Sequence, residues 1–275
     1  MARDFTEKKV APKVLERDET REYDVNLYKD LCDMGFIGLP YAKEYGGQGL
    51  GYMEYALAVE EISKVDPSLG VSFSVATSLY GGSLYFSEAT DEQLKRFMPP
   101  VLRDGHLGSF GLTEPTAGSD VSGMLTFAQR DGDEYIINGS KCFITNGGVA
   151  DAFIVSAYVD KSKGAAGIAQ FFVEKERGVK VGKIEEKMGL HLSVTSEVTF
   201  ENVRVPMDHM IGSIYFLKPD EAKELTGSKL TGQAAIMAGL AHARISSMVH
   251  ALGIGQAALD VAVKYAKERR QFGKR

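Results

Sequence analysis

The sequence predicts an α+β protein in which a helical region, a β region and a second helical region follow one another. Three observations support this order. Apolar residues recur at helical spacing up to about residue 110, short β-branched and aromatic runs separated by turn signals fill 111–212, and the alanine- and leucine-rich stretch 234–267 is again helical. At 275 residues the chain can bury a sizeable core and form two or three domains.

Four segments follow from this pattern. We predict an N-terminal helical domain over 1–110, a middle antiparallel β-barrel or sandwich domain over 111–212, an extended linker over 213–232, and the beginning of a C-terminal helical domain over 233–275. Strands of this kind at short spacing favour a barrel or sandwich over a βαβ sheet.

Composition excludes several classes of protein. The net charge of −5 argues against a protein that binds nucleic acid or an anionic membrane, because either would need a basic patch. Cys32 and Cys142 lie far apart, which suggests neither a disulfide framework nor a metal site. The N-terminus lacks the apolar core of a signal peptide. We therefore expect a cytoplasmic protein with no metal, no nucleic acid and no membrane partner.

The N-terminal helices are read from periodicity and from start and stop signals. Leu27, Leu31 and Met34 fall at i, i+4 and i+7, and Gly35 follows at a helix C-cap position. Later helices are predicted at Tyr52–Val65, from Asp66-Pro67 onward and at Asp91–Arg103. The glycine run 46–51 lacks a P-loop pattern, so we prefer a turn to a phosphate cradle.

The uncharged stretch 68–87 meets the length needed to span a membrane. It contains six serines, a threonine and three glycines, so we predict a buried helix pair. In the last helical region, Gly253-Ile-Gly255 resembles a dinucleotide fingerprint but has no strand before it, so we reject that interpretation. Small residues there favour close helix packing, and the basic residues after Glu268 suit a solvated helix end.

Two loops carry the candidate chemistry. Phe110-Gly-Leu-Thr-Glu-Pro-Thr-Ala-Gly-Ser-Asp120 and Lys141-Cys-Phe-Ile-Thr-Asn-Gly-Gly148 each end an apolar run in hydroxyls and glycines, and the second also contains an amide. A flat, acceptor-rich ring such as a flavin needs donors at its edge and an apolar or aromatic wall against its face. On composition alone, two ordinary strand-end turns would contain the same residues.

Seven segments in order resemble signatures of the acyl-CoA dehydrogenase family, most closely its bacterial short-chain, butyryl-CoA-dehydrogenase-like members. Two are the flavin-facing loops, Leu112 to Asp120 and Phe143 to Gly148. The others are Tyr45-Gly-Gly-Gln-Gly-Leu50, Lys187-Met-Gly-Leu-His-Leu-Ser193, Val198-Thr-Phe-Glu-Asn-Val-Arg-Val-Pro206, Ala251-Leu-Gly-Ile-Gly-Gln256 and Glu268-Arg-Arg-Gln-Phe-Gly273. The resemblance covers nearly the whole chain. It implies FAD as cofactor, an acyl-CoA substrate, electron-transfer flavoprotein as partner, and a full-length dimer or tetramer.

The resemblance also implies roles for individual residues. Phe110, Leu112 and Thr113 match residues beside the flavin's pyrimidine ring, and Ser119 matches a serine that touches both the cofactor and the pantetheine arm. Phe143 takes the place of an aromatic residue that packs on the flavin, and Thr145 that of a threonine reaching N5. A segment that binds FAD of a neighbouring subunit is matched by Arg269, Gln271 and Phe272.

Substrate contacts are implied for three residues. Ser119 and Ser193 match serines that contact the acyl-CoA, and Arg244 matches an arginine that organises the active site. Histidine is a common general base, but the segment of His191 matches the loop near CoA in relatives, so we do not assign it that role. No catalytic residue is assigned within the chain.

The chain departs from the family pattern in three places. It ends at Arg275, whereas relatives continue through the segment that carries the catalytic Glu, so we expect that base beyond Arg275. Ala243 occupies the alternative position of the base, and Ala241 stands where short-chain relatives commonly have Asp. The segment 211–232 is longer than the usual linker, and it is either a solvent loop or a partner surface.

The leading functional hypothesis is the α,β-dehydrogenation of a short-chain acyl-CoA thioester to the trans-2-enoyl-CoA. One alternative is enoyl-CoA reduction by the same kind of site. Another is a non-catalytic acyl-CoA-binding or assembly protein that lacks the catalytic Glu. A nicotinamide-dependent enzyme is less favoured, because the sequence contains no strand–GxGxxG–helix unit.

Overall fold

The computed structural model describes residues 1–87, 89–211 and 232–274. The N-terminal region consists of helices joined by short turns. Those helices are α1 Ala2–Phe5, α2 Val14–Thr20, α3 Val25–Asp33, α4 Tyr52–Ser63, α5 Pro67–Ser74, α6 Gly82–Phe86 and α7 Asp91–Leu102.

Side-chain caps begin three of these helices. Asp24 accepts a hydrogen bond from the Asn26 N–H at 3.0 Å and starts α3, and Asp66 accepts one from the Leu69 N–H at 3.0 Å and starts α5. Thr90 and Gln93 form a reciprocal capping box at the start of α7. Gly35 adopts a φ of +75° just after α3, as expected for a residue that ends a helix.

The serine-rich stretch 67–86 forms one continuous helical run, not a pair of helices. Its centre, Val75–Gly81, is a π-helical segment between α5 and α6. No proline interrupts this stretch after Pro67. The turns of a π-helix are wider than those of an α-helix, and in this segment the Tyr41 hydroxyl donates a hydrogen bond to the Thr77 carbonyl oxygen at 2.5 Å. Among the described residues, no helix has the length and apolar character needed to cross a bilayer.

Within the described ranges, eight strands form a single sheet in the order β6-β7-β3-β2-β4-β5-β8, with β1 also paired to β4. Most pairings are antiparallel, but β1 and β2 both run parallel to β4. The strands are β1 Gly108–Gly111, β2 Phe127–Asp131, β3 Glu134–Thr145, β4 Ala152–Tyr158, β5 Ile168–Glu174, β6 Lys180–Ile184, β7 Thr195–Pro206 and β8 Met210–Ile211. The runs 135–137, 153–155, 170–173, 179–181 and 196–201, predicted as strands from their β-branched and aromatic residues, each overlap one of these strands.

Strand β4 separates two hydrophobic cores, and all seven of its residues are buried. Ala152 and Ile154 face the core shared with the N-terminal helices, whereas Phe153 and Val155 face a second core within the sheet region. A strand buried on both faces is typically apolar along its length, and β4 is apolar at every position except Ser156. The predicted α+β class, with helical, β and helical regions in that order, is confirmed.

The last helix, α8 Gln233–Glu268, packs against the N-terminal helices through its first half. Its buried residues follow a three- and four-residue spacing and include Ala243, Ser246, His250 and Gly253. A Cβ on Gly253 would lie 2.7 Å from the Glu60 carbonyl oxygen, so close packing requires glycine there. A Cβ on Gly255 would meet nothing within 4 Å, so the packing prediction is confirmed only for Gly253.

The predicted linker 213–232 lies outside the described residues except for Gly232. The domain boundaries placed after residues 110, 212 and 232 stay predictions.

Candidate active site

The two predicted flavin-facing loops lie side by side at the ends of β1 and β3. The Cys142 N–H donates to the Thr113 carbonyl oxygen at 2.9 Å, and the Ser109 hydroxyl donates to the Thr145 carbonyl oxygen at 2.7 Å. The order of the strands in the chain does not require this proximity. The fold therefore brings two segments about thirty residues apart into contact.

A β-bulge sets the direction of the Phe143 side chain. Lys141 pairs with Val198 and Ile144 with Ser196, so β3 has one residue more than β7 between these pairs. Phe143 lies in this bulge with a φ of +58°, which is strained for a bulky side chain, and it is 65% exposed. Bulges and strained residues concentrate at functional sites, where they redirect a side chain.

A buried ion pair holds the first loop against β3. The Lys141 ammonium lies 2.7 Å from the Glu114 carboxylate, and both side chains are almost completely buried. The carboxylate also accepts hydrogen bonds from the N–H groups of Leu125 (2.6 Å) and Thr126 (3.0 Å). The ammonium in turn donates to the Leu112 carbonyl oxygen at 3.2 Å. This ion-pair cluster, Glu114 with Lys141, thus ties the first loop and residues 125–126 after it to the strand that carries Phe143.

Burial affects the two charges of this cluster differently. Burial alone would raise the pKa of the Glu114 carboxyl, but its hydrogen bonds and the Lys141 charge hold that pKa below its usual value. Burial lowers the pKa of the Lys141 ammonium, against the opposing effect of Glu114. The Glu114 carboxyl is therefore ionised at neutral pH, and its charge favours the protonated form of Lys141 against the effect of burial.

Asn146 anchors the end of the second loop. It adopts a φ of +64° and is fully buried. Its amide donates to the carbonyl oxygens of Gly108 (3.1 Å) and Ser72 (3.2 Å), and it accepts from the Ser72 hydroxyl at 2.6 Å. One side chain thereby connects the end of β3 to β1 and to α5.

A separate cavity of about 260 Å³ lies between α8 and the helical run 67–86. Ala243 and Arg244 of α8 line it, and Arg244 is exposed to solvent while Ala243 is buried. No aspartate or glutamate is among its described lining residues. These are Val71, Ser74, Val75, Ser78, Leu79, Leu240, Ala243, Arg244, Ser246, Ser247 and His250.

His250 occupies the buried side of this cavity. Its Nδ1 lies 2.7 Å from the Ser63 hydroxyl and its Nε2 2.8 Å from the Ser74 hydroxyl, so it connects α8 to α4 and α5. Burial lowers the pKa of His250 to about 4. The imidazole is therefore neutral at physiological pH, with a serine hydroxyl at each nitrogen.

Comparison of this chain with known proteins identifies its family. Models of the acyl-CoA dehydrogenase N-terminal, middle and C-terminal domains match residues 1–104, 109–203 and 231–275. A short-chain-specific acyl-CoA dehydrogenase of Clostridium acetobutylicum is 42% identical over 275 residues, covering 100% of this chain and 68% of that protein. The chain belongs to the acyl-CoA dehydrogenase family.

Two further relatives represent different functions within this family. The structure of butyryl-CoA dehydrogenase from Megasphaera elsdenii matches with a TM-score of 0.88 and 42% identity, covering 99% of this chain and 68% of that one. Subunit CarC of the caffeyl-CoA reductase–Etf complex of Acetobacterium woodii is 37% identical, covering 100% of this chain and 69% of that protein. The chain thus spans about two thirds of the length of these family members.

The loop residues of this acyl-CoA dehydrogenase family chain suit a flavin. An aromatic ring exposed to solvent and held on a strained bulge provides a wall for the face of a flat ring. Half-buried Thr113 and Thr145 lie on the two hydrogen-bonded segments beside it and supply hydroxyl groups. These properties fit FAD, and the assignment of individual contacts stays a prediction.

The structure brings together some of the predicted site residues and not others. Phe110, Leu112, Thr113, Phe143 and Thr145 lie where the end of β1 and the loop after it meet β3. Ser193 is buried two residues before Thr195, which pairs with Thr145 in the sheet, and its hydroxyl has no hydrogen-bond partner among the described residues. Ser119 is exposed on the first loop.

The remaining predicted residues lie on α8 and just beyond it. Arg244 lines the cavity described above. Arg269, Gln271 and Phe272 are exposed after the end of α8, and the structure does not bring them to the loops. Their predicted contact is with the FAD of a neighbouring subunit, and it stays a prediction.

His191 has a structural position in this chain. Its Nδ1 lies 3.2 Å from the Asp18 carboxylate and its Nε2 3.0 Å from the Lys187 carbonyl oxygen. Both ring nitrogens are thus occupied by contacts within the protein, in keeping with our decision not to assign it as a base.

Four residues of the site were missed by the sequence analysis: Glu114, Lys141, Asn146 and His250. A charged residue inside an apolar strand was the available signal for Lys141, because a lysine in such a place needs a buried partner. Asn before two glycines was the signal for a left-handed residue at position 146. Nothing local in the sequence singles out His250, whose partners lie more than 170 residues away.

Proposed function

We propose that this protein catalyses flavin-dependent α,β-dehydrogenation of a short-chain acyl-CoA thioester, forming the trans-2-enoyl-CoA, with electrons passing to electron-transfer flavoprotein. The observation that carries the proposal is the exposed Phe143 ring on a strained bulge beside the Thr113 and Thr145 segments. Family membership supports the same chemistry, and FAD is the cofactor. We also propose a dimer or tetramer for the full-length form.

Bound FAD supplies the acceptor for the β hydride. The chain's own residues bind and orient this cofactor. Phe143 packs against the face of the ring, and the hydroxyls of Thr113 and Thr145 hydrogen-bond to its edge. The ion-pair cluster fixes the loop that carries Thr113, so that these donors are already in place when the cofactor binds.

The acyl group is proposed to occupy the cavity beside α8. Its volume of about 260 Å³ suits a short chain, and its walls include Val71, Val75 and Leu240. Arg244 lies at the exposed side, where it organises the site without acting as acid or base. The described walls contain no carboxylate to accept the α proton, so the catalytic Glu stays a prediction.

Enoyl-CoA reduction is a second candidate function. The CarC relative belongs to a caffeyl-CoA reductase–Etf complex, so a similar chain works in the reductive direction. A third candidate, acyl-CoA binding without catalysis, is favoured by Ala243 at the alternative position of the base.

Anaerobic flavin spectroscopy separates these functions. The FAD-loaded protein is mixed with butyryl-CoA, and the dithionite-reduced protein is mixed with crotonyl-CoA. The proposed function predicts that butyryl-CoA bleaches the oxidised flavin. Reoxidation by crotonyl-CoA without bleaching by butyryl-CoA would favour the reductase. Binding of both thioesters with no change in flavin oxidation state would favour the non-catalytic protein and contradict our proposal.

A further inference from the structure

The loop between β6 and β7 carries a histidine with a hydrogen-bond acceptor at each ring nitrogen. The Nδ1 of His191 lies 3.2 Å from a carboxylate oxygen of Asp18 on α2, and its Nε2 lies 3.0 Å from the Lys187 carbonyl oxygen. A neutral imidazole has one N–H and donates to only one of these oxygens, whereas an imidazolium donates to both. Because neither a carboxylate nor a carbonyl oxygen donates in return, the geometry favours the doubly protonated ring.

Charged groups surround this contact on more than one element. Four further ionisable residues line a small cavity beside the residue that follows His191, and they are Arg17, Glu22, Asp24 and Asp66. Arg17 and Asp66 lie 3.7 Å apart and offset each other's charge. Asp18 and the other two cavity carboxylates then face one cation of this group, Lys187. These charges are compatible with a positive ring, and the two acceptor contacts determine its form.

The same loop leads directly into the predicted substrate and flavin residues. Ser193, for which a contact with acyl-CoA is predicted, lies two residues after His191. The Lys187 ammonium donates to the Ser193 carbonyl oxygen, and it also donates to the Thr195 hydroxyl oxygen at 3.1 Å. Thr195 begins β7 and pairs with Thr145 in the sheet. The position of Ser193 therefore depends on how this loop is held.

The contact between His191 and Asp18 holds the loop from outside. Leu190 has a φ of +54°, which is strained for an aliphatic side chain, so the loop conformation needs support from other elements. Within the described part of the chain, the hydrogen bond that joins residues 187–193 to the N-terminal helices is the one from His191 to Asp18. Loss of this bond would free the loop from α2.

We propose that His191 is a positioning residue for the acyl-CoA thioester, because its imidazolium ties the loop 187–193 to Asp18 and thereby fixes Ser193. When the ring releases a proton to solvent, the shorter bond to the Lys187 carbonyl keeps the remaining N–H, and Nδ1 no longer donates to Asp18. The tie is thus present at low pH and lost at high pH. The inference rests on the proposed function, in which this chain binds an acyl-CoA.

The test measures the dissociation constant of butyryl-CoA by calorimetry with the FAD-loaded protein. Wild type and His191→Gln are compared between about pH 5 and 8, the range in which histidine side chains change charge. The phosphates of CoA titrate as well, so the measured quantity is the ratio of the variant's constant to that of the wild type. We expect a ratio of about three at the acid end, the effect of one partly exposed ion pair, and about one at the basic end.

Three further variants identify the cause of this pH dependence. His191→Arg keeps a permanent cation with several donors, so it should match wild type at the acid end and bind about threefold more tightly at the basic end. Asp18→Asn removes the partner's charge and should behave like His191→Gln. His106→Gln is the matched control, because it removes another exposed histidine, from the turn between α7 and β1. Its ratio should stay near one at every pH.

The outcomes separate the inference from the proposed function. A His191→Gln ratio that does not change with pH, or a His191→Arg protein that follows wild type at every pH, would overturn the inference and leave the proposed function intact. Failure of butyryl-CoA to bind any of these proteins at any pH would overturn both.

Discussion

The ion-pair cluster and a second group beside the α8 cavity are both polar and buried, but they differ in charge and in what surrounds them. The second group, which we call the hydroxyl cluster, consists of Ser74, Ser78, Ser246 and His250. Glu114 and Lys141 form a charged pair enclosed by backbone groups of the β region. The hydroxyl cluster is neutral and borders a cavity. A charged pair thus holds the first loop, whereas neutral side chains border the cavity that we propose for the acyl group.

The largest effect on stability is expected when only one charge of the Glu114–Lys141 pair is removed. Lys141→Met leaves the Glu114 carboxylate buried without its cation, so we expect a loss of about 3–5 kcal/mol in the free energy of unfolding. Urea denaturation measures it. The double variant Lys141→Met with Glu114→Gln removes both charges and should recover part of the loss. A single variant as stable as the wild type would show that the pair does not hold the loop.

Two substitutions at Asn146 test whether the end of the second loop is stabilised by the Asn146 side chain or only by the backbone conformation at this residue. Asn146→Ala removes three hydrogen bonds. It also leaves an alanine at a φ of +64°, a backbone conformation that is strained for a residue with a Cβ and no side-chain amide. We expect a loss of about 3 kcal/mol by urea denaturation. Asn146→Gly tolerates that φ, so it should be about 1 kcal/mol less damaging than the alanine variant. Equal losses of stability in the alanine and glycine variants would show that backbone strain at residue 146 does not contribute.

Because the fold keeps His250 of the hydroxyl cluster neutral, the free energy of unfolding should depend on pH. The His250 pKa is about 4 in the folded protein and 6.5 as the ordinary value, so the unfolded chain binds more protons between these values. Stability from this residue is present above pH 6.5 and is lost as pH falls towards 4, by roughly 3 kcal/mol in total.

Unfolding free energies measured across that pH range check this contribution. His250→Gln keeps a polar side chain without a titrating ring, so its stability should fall less steeply between pH 6.5 and 4. Parallel curves for the two proteins would mean that His250 is not held neutral by the fold.

Local signals accounted for most of the helices and strands. The caps at Asp66 and Thr90 and the alternation in β7 act over a few residues, so they are visible in the sequence. The π-helical segment Val75–Gly81 was not predicted, because its register depends on packing against other helices.

The site depends on contacts that no local pattern encodes. Glu114 and Lys141 are 27 residues apart, and they meet because the loop after β1 packs against β3. The exposure of Phe143 results from a bulge whose position is set by the register between β3 and β7. The resemblance indicated which loops matter, but the tertiary fold determines how they are held.

Binding of FAD tests the central claim, that the bulge at Phe143 forms the wall of the flavin site. Wild type, Phe143→Ala and Phe127→Ala are incubated with FAD and desalted, and retained flavin is read from the visible absorption spectrum. Phe127 is the control, because it is also exposed but lies on β2. We predict that wild type and Phe127→Ala retain flavin and that Phe143→Ala retains much less. Equal retention by all three proteins would contradict the account.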